Sequence, residues 1–289
     1  MTTATLSSTS ISGLGRAWKW FATAPVTVVI SAIVLAFLVA AACVPALIAP
    51  GNPLVGDPLQ ALQAPSPSHW FGTDENGRDV FTRVIHGATP SLLTGLGASA
   101  LALVVGTLLG VAAAQGGKWI DAIVMRCVDI LLAIPGLLLV LVIVAVMGKG
   151  SLNVVLGIAI AAIPGYARLV RSEILVIRRS GYVDAAVSLG IPRMQIIRQH
   201  IIPNAVRPVL ILATIGIGAA IGSGATLSFL GLGPQPPTPE WGAMLAGSQS
   251  YFSVAWWTAL FPGLAITFAV LSITVLGQYL QRRLDGRPA

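Results

Sequence analysis

Six stretches of this sequence are long and apolar enough to cross a bilayer, and they constrain the fold more than anything else in the chain. They run roughly Val26–Ile48, Leu92–Ala114, Val124–Met147, Leu152–Ala167, Val209–Leu230 and Trp257–Leu280. A spanning helix needs about 20 mostly apolar residues. In hydrocarbon each backbone N–H and C=O must be satisfied within the protein, which a helix does inside one segment. The fourth run is short and contains Pro164, and its helix can continue into the basic segment behind it. Composition agrees. The chain of 289 residues is 55% hydrophobic and 9% charged, whereas soluble domains carry about 25% charged residues. The expected fold is therefore all-α and polytopic, with six transmembrane helices. A tail of residues 1–25 precedes a transmembrane region of 26–289, whose core is about 91–281. The Ser/Thr-rich first 13 residues are expected to be disordered, and no cleavable signal peptide is evident.

Lysine and arginine set the orientation. With the N-terminus inside, 14 of the 17 Lys and Arg residues fall on cytoplasmic segments, and only Arg78, Arg83 and Lys149 lie outside. The positive-inside rule selects that arrangement and places both termini in the cytoplasm. The net charge of +7 thus reads as an orientation signal and a contact to anionic lipid, not as a nucleic-acid surface. Cys43 and Cys127 lie in or beside apolar runs and read as small packing residues.

The largest cytoplasmic segment, about 168–207, is basic and partly amphipathic. Its stretch GYVDAAVSLGIPRMQIIRQHIIPN, Gly181 to Asn204, reads as two short helices broken at Gly190. Val183, Ala186, Val187, Gly190, Met194 and Ile197 recur at three- and four-residue spacing and form one apolar or small face. Periodicity alone favours a loop lying on lipid headgroups. The small Ala185 and Ala186 and the bend at Gly190 instead suit close approach by a cytoplasmic partner. Asp184-Ala185-Ala186, Gly190 and Ile202-Pro203 resemble the EAA loop of ABC-importer permeases, with Asp184 in place of the usual Glu and His200 at a usually aliphatic position.

Three further segments resemble the C-type subunits of the dipeptide/oligopeptide/nickel branch of that family. They are HWFGTDENGRDV from His69 to Val80, MRCVDILLAIP from Met125 to Pro135, and LSFLGLG from Leu227 followed by QPPTPEWG up to Gly242. Together with the loop they cover most of residues 69–242. Gly224 departs from relatives that carry an acidic residue there.

This resemblance implies a type I ABC-importer permease fold in the bacterial inner membrane. It implies half of a translocation pore for di- or oligopeptides, working by alternating access, with a nickel chelate or another small solute as the alternative cargo. The implied partners are a B-type permease, two cytoplasmic ATPases that hold the ATP and Mg, an extracytoplasmic substrate-binding protein, and lipid. Tyr182, Asp184, Ala185, Ala186, Gly190, Arg193 and Met194 would couple to the ATPases. No cofactor or metal is expected on this chain.

Other residues carry two readings each. Asp129, near the inner end of the third run, is a pore candidate, although an ion pair with Arg126 is preferred. Gly218 and Gly222, with Ser228 beyond them, suit a gating helix or plain tight packing. Asp74, Arg78, Asp79 and Trp241 could face the receptor, or the three charges could form an internally paired loop. Trp241, Tyr251, Trp256 and Trp257 suit a membrane–water interface. A metal site at His69, Asp74 and Glu75 is disfavoured.

No Walker A loop is present, because Lys118 is followed by Trp119 and Lys149 by Gly150. Any ATP hydrolysis therefore belongs to another chain. An ion-coupled secondary transporter should show buried charges or helices broken at matching places, and little of either is visible. A membrane enzyme would need convergent catalytic groups, but His69 and His86 fall outside and His200 inside.

Overall fold

The computed structural model of the chain describes residues 25–284, so the expectations for the N-terminal tail lie outside the described part. Among these residues the regular structure is helical, apart from one isolated bridge between Thr73 and Asp79. The helices are α1 (Val26–Cys43), α2 (Pro45–Ile48), α3 (Val80–Gln115), α4 (Lys118–Leu132), α5 (Gly136–Met147), α6 (Ser151–Ile177), α7 (Gly181–Ser188), α8 (Arg193–Ile196), α9 (Ile202–Phe229), α10 (Trp241–Ser248) and α11 (Trp257–Leu284). Helices α1, α3, α6, α9 and α11 are each long and apolar enough to cross a membrane, and the bent pair α4–α5 makes up to a sixth if it is taken as one broken span.

Prolines and chain length explain where these helices depart from the apolar runs. The first run breaks at Val44 because Pro45 offers no N–H and forces its neighbour out of the helical region. The second starts twelve residues earlier than hydropathy suggests. Asp79 caps it with a side-chain oxygen on the Thr82 N–H, 2.7 Å. At about 1.5 Å per residue its 36 residues reach roughly 54 Å, well past the ~30 Å hydrocarbon layer. The fourth run continues through Pro164 as one helix to Ile177, as the sequence allowed.

The third run is not one helix, which corrects the single span expected over Val124–Met147. It bends by 92° between α4 and α5 at Pro135. The arms have 15 and 12 residues, about 22 and 18 Å. Tilted equally about a right angle they would rise roughly 28 Å, about the depth of the hydrocarbon layer.

The bundle is built on α3 against α6, with α9 beside both and α11 and α1 closing the far side. Helices in a membrane gain little from apolar burial and need close packing instead. Gly106 and Gly110 provide it. A Cβ at Gly106 would stand 2.6 Å from Tyr166 Cβ, and one at Gly110 would stand 2.6 Å from the Ala167 carbonyl. An inner core then joins Ala102 and Ala114 of α3, Val170 and Ile174 of α6, and Ala205 and Val209 of α9. An outer core joins Leu38, Val84, Trp241, Trp257 and Ala269.

Gly110→Leu is expected to cost about 2–3 kcal/mol by overpacking this contact. Gly222→Ala, at a glycine with nothing within 4 Å of its Cβ position, should cost under about 0.5 kcal/mol. Thermal unfolding of the purified chain in detergent, read by tryptophan fluorescence, checks both.

Candidate functional site

The loop of residues 168–207 has two faces. Val183, Ala186, Ile196 and Ile201 are buried in the same inner core as α3, α6 and α9. Tyr182, Val187, Leu189 and Met194 point outward, with Leu189 80% exposed. Asp184, Ala185, Gly190 and Arg193 are exposed beside them. Ala186 therefore seats the loop on its own bundle and is not available for close approach by a partner, a correction to its expected role. Leu189 is the outward residue the sequence pattern missed, because it lies off the three- and four-residue stripe.

A reciprocal cap shapes the bend. The Ile191 N–H donates to the Ala186 carbonyl at 3.2 Å and the Gly190 N–H to Val187 at 3.0 Å. Gly190 has φ +74°, a conformation that costs other residues about 1–2 kcal/mol. The chain then passes through α8 and a five-residue π-turn, Ile197–Ile201, into α9. Pro203 accounts for the wide turn: it has no N–H, and its ring would collide with the Gln199 carbonyl in a regular helix.

Two ion pairs tie α4 to α6 near the inner end. Arg171 grips Asp121 with two bonds of 2.5 and 2.6 Å, and Arg168 bonds Asp129. Asp129 thus pairs across helices and not with Arg126, correcting the i,i+3 expectation. Both side chains of the Asp129 pair are 55% exposed. Asp121 had no signal in the sequence, since its partner lies 50 residues away.

The outer loops fold into a cap. Asp74 accepts the N–H groups of Asn76 and Arg78 at 2.9 Å each and Arg78 Nε at 2.7 Å. Arg83 Nε lies 3.4 Å from the same carboxylate, and its Nη1 donates to the Pro53 carbonyl at 2.8 Å. Asp74 and Arg78 are buried, so they organise the cap and do not face a receptor. Asp79 joins His69 at 3.0 Å instead of the Arg78 cluster. Glu75 also goes to Arg78, at 3.0 Å.

Trp241 is fully buried and donates to the Val84 carbonyl at 2.8 Å. Trp257 is buried too and donates to Thr73 at 3.1 Å. Neither sits at the membrane interface or at a receptor surface, and Trp256 is the half-exposed one. A cavity of about 600 Å³ lies between the cap loops, beside Arg78, Arg83, Pro237 and Ser248.

The other glycine and serine candidates also resolve. Gly218 packs on α11, where a Cβ would meet Thr274 Oγ1 at 3.1 Å, so it serves close packing. Ser228 is buried under Gly233 and Gly242 and does not line a pore. Gly222 faces open space.

The all-α bundle is a fold that known proteins share. Residues 106–288 match the family described as binding-protein-dependent transport system inner membrane component. The chain belongs to that family. The dipeptide transport system permease protein DppC of Alkalihalophilus pseudofirmus is 45% identical over 80% of this chain and 76% of its own length. The probable D,D-dipeptide transport system permease protein DdpC of Escherichia coli K12 is 41% identical over 91% of this chain and 88% of its own. The glutathione transport system permease protein GsiD of Pectobacterium atrosepticum is 43% identical over 78% and 75%.

Two solved structures share the fold. The inward-facing MetNI methionine ABC transporter matches with a TM-score of 0.56 at 21% identity, over 70% of this chain and 96% of that one. An amino acid ABC transporter crystallised with histidines matches with 0.58 at 19%, over 70% and 94%. This is the type I ABC-importer permease fold. The permease family match begins inside α3, so α1, α2 and the loop of residues 49–79 precede it, whereas the cap's second loop lies within it.

Asp74→Ala should destabilise the permease by about 3–5 kcal/mol, because it leaves Arg83 buried without its carboxylate and Arg78 with Glu75 alone. Glu75→Ala, at a partly exposed carboxylate, should cost under about 1 kcal/mol. Midpoints of thermal unfolding in detergent separate the two.

Proposed function

We propose that this chain is one of two pore-forming permeases of an ATP-driven importer for dipeptides or short oligopeptides. The observation that carries the cargo is 41–45% identity to relatives named for dipeptide, D,D-dipeptide and glutathione transport. The second subunit would be a related B-type permease. Two cytoplasmic ATPases would bind and hydrolyse ATP, and an extracytoplasmic binding protein would deliver the peptide. This chain performs no chemistry and holds no cofactor. Both termini lie in the cytoplasm, in keeping with the basic residues of the 168–207 segment.

The coupling step follows from the two faces of the loop. Tyr182, Ala185, Val187, Leu189 and Met194 form an exposed, largely apolar patch on a segment that the charge pattern places in the cytoplasm. Such patches mark protein contacts, and a groove on each ATPase is the occupant this reading supplies. Behind the patch, Val183 and Ala186 pack in the same core as α6 and α9 and would pass its displacement to them. The π-turn before α9 and the Pro135 elbow are the two places where the bundle can change angle. Rocking about them would open the pore first outward and then inward.

Leu189→Glu is expected to strip the ATPases from the complex while the second permease still co-purifies in mild detergent. Tyr182→Ala should weaken the same contact by about 1–2 kcal/mol. Quantitative mass spectrometry of the co-purified subunits checks both. Wild-type chain that purifies alone and moves solute in liposomes without ATP would replace the importer with a secondary transporter.

A further inference from the structure

A cavity of about 250 Å³ lies between α3, α5, α6 and α9, walled largely by alanine, glycine, valine and isoleucine and open on one side. Its polar groups are hydroxyls, from Ser99, Tyr166 and Ser223, and no charged residue lines it. Gly216, on its wall, sits near the middle of α9, roughly 20 Å from either end. The cavity is therefore at mid-bilayer depth.

The hydroxyls are poorly used by the protein itself. Tyr166 is 8% exposed and Ser99 4%. Tyr166 Oη and Ser99 Oγ stand 3.5 Å apart, beyond the 2.5–3.0 Å of an O–H···O bond. Ser99 Oγ reaches the Ala213 carbonyl only at 3.3 Å. Buried hydroxyls without close partners are costly in a low-dielectric interior, yet here they gather at one opening. Gly216 keeps that arrangement possible, because a Cβ there would stand 2.2 Å from Tyr166 Oη.

We propose that Ser99, Tyr166 and Ser223 form a mid-membrane contact for the peptide bond of the passing cargo. This rests on the reading of the chain as half of a peptide-importer pore. A hydroxyl both donates and accepts, so it suits the N–H and C=O that a peptide presents together. The uncharged lining takes the neutral backbone and leaves charged termini to water in the pore. The small alanines set the width, with Ala161 and Ala219 on the wall. At about 250 Å³ the cavity is smaller than the roughly 300–1,000 Å³ of self-sufficient ligand sites. It is only partly enclosed, and on this reading the second permease would complete it. The contact is thus weak and transient, as passage requires.

The test uses the complete transporter in proteoliposomes, with dialanine and diphenylalanine as probes. Tyr166→Phe combined with Ser99→Ala should slow dialanine uptake about three- to tenfold, the loss of roughly one hydrogen bond. ATP hydrolysis elicited by the loaded binding protein should stay within about twofold. Ala219→Leu, at an exposed wall position that can be enlarged without disturbing the core, should slow diphenylalanine about tenfold more than dialanine, the scale of a few methylenes in a pocket. That change in ratio is one a merely structural role would not produce. Wild-type rates of dialanine uptake in the Ser99/Tyr166 variant, equal slowing of both peptides by Ala219→Leu, or a parallel fall in uptake and ATP hydrolysis overturns the contact. A wild-type complex that takes up neither peptide on ATP overturns the importer reading, and the contact with it.

Discussion

The close approach of α3 and α6 is the contact on which the rest of this structure depends. Two glycines on α3, Gly106 and Gly110, bring its backbone against Tyr166, Ala167 and Val170 of α6. Between helices in lipid, packing of this kind replaces the hydrophobic drive of a water-soluble core. Because α6 runs unbroken from the outer turn at Ser151 to Ile177, the same contact fixes where the cytoplasmic loop emerges. The loop then closes back on α3, α6 and α9 through Val183 and Ala186. The loop surface and the spans therefore share one packed core.

Rigidity in that block is offset by two adjustable points. The Pro135 elbow leaves α4 with a single buried side chain, Val128, and its two ion pairs to α6 as the main ties. The exposed pair between Asp129 and Arg168 would be expensive against hydrocarbon, so it belongs to an aqueous or protein-covered face. The outer cap is built the opposite way. Its charges are turned inward and neutralise one another, and its tryptophans lock the two outer loops together. The cap is a lid on a rigid scaffold, whereas the inner half contains the joints.

What the sequence made legible follows from the range of the forces involved. Spans are local: twenty apolar residues fold as a helix wherever they lie, and five of the six runs could be placed that way, with ends altered by Pro45, Asp79 and the unbroken passage through Pro164. The bend at Gly190 is also local and was visible as a glycine between two short helical patterns. The Pro135 elbow was not, because apolarity is the same on both sides of the break. Ion-pair partners 39 and 50 residues apart, as for Asp129 and Asp121, are set by helix packing that no window contains. For the same reason Trp241, Asp74 and Ala186 looked like surface residues and proved to be buried. The hydroxyl cavity combines single residues from separate helices, which no local pattern joins.

The most direct measurement of the central claim is hydrogen–deuterium exchange across the cytoplasmic loop, read by mass spectrometry with the ATPase subunits absent and then added. The account predicts slower exchange in peptides covering Gly181–Gly190, where Leu189 and Tyr182 become covered, with the Leu227–Gly242 region on the opposite side unchanged. Unchanged exchange in the loop, or protection confined to another cytoplasmic segment such as the α3–α4 turn, would contradict it.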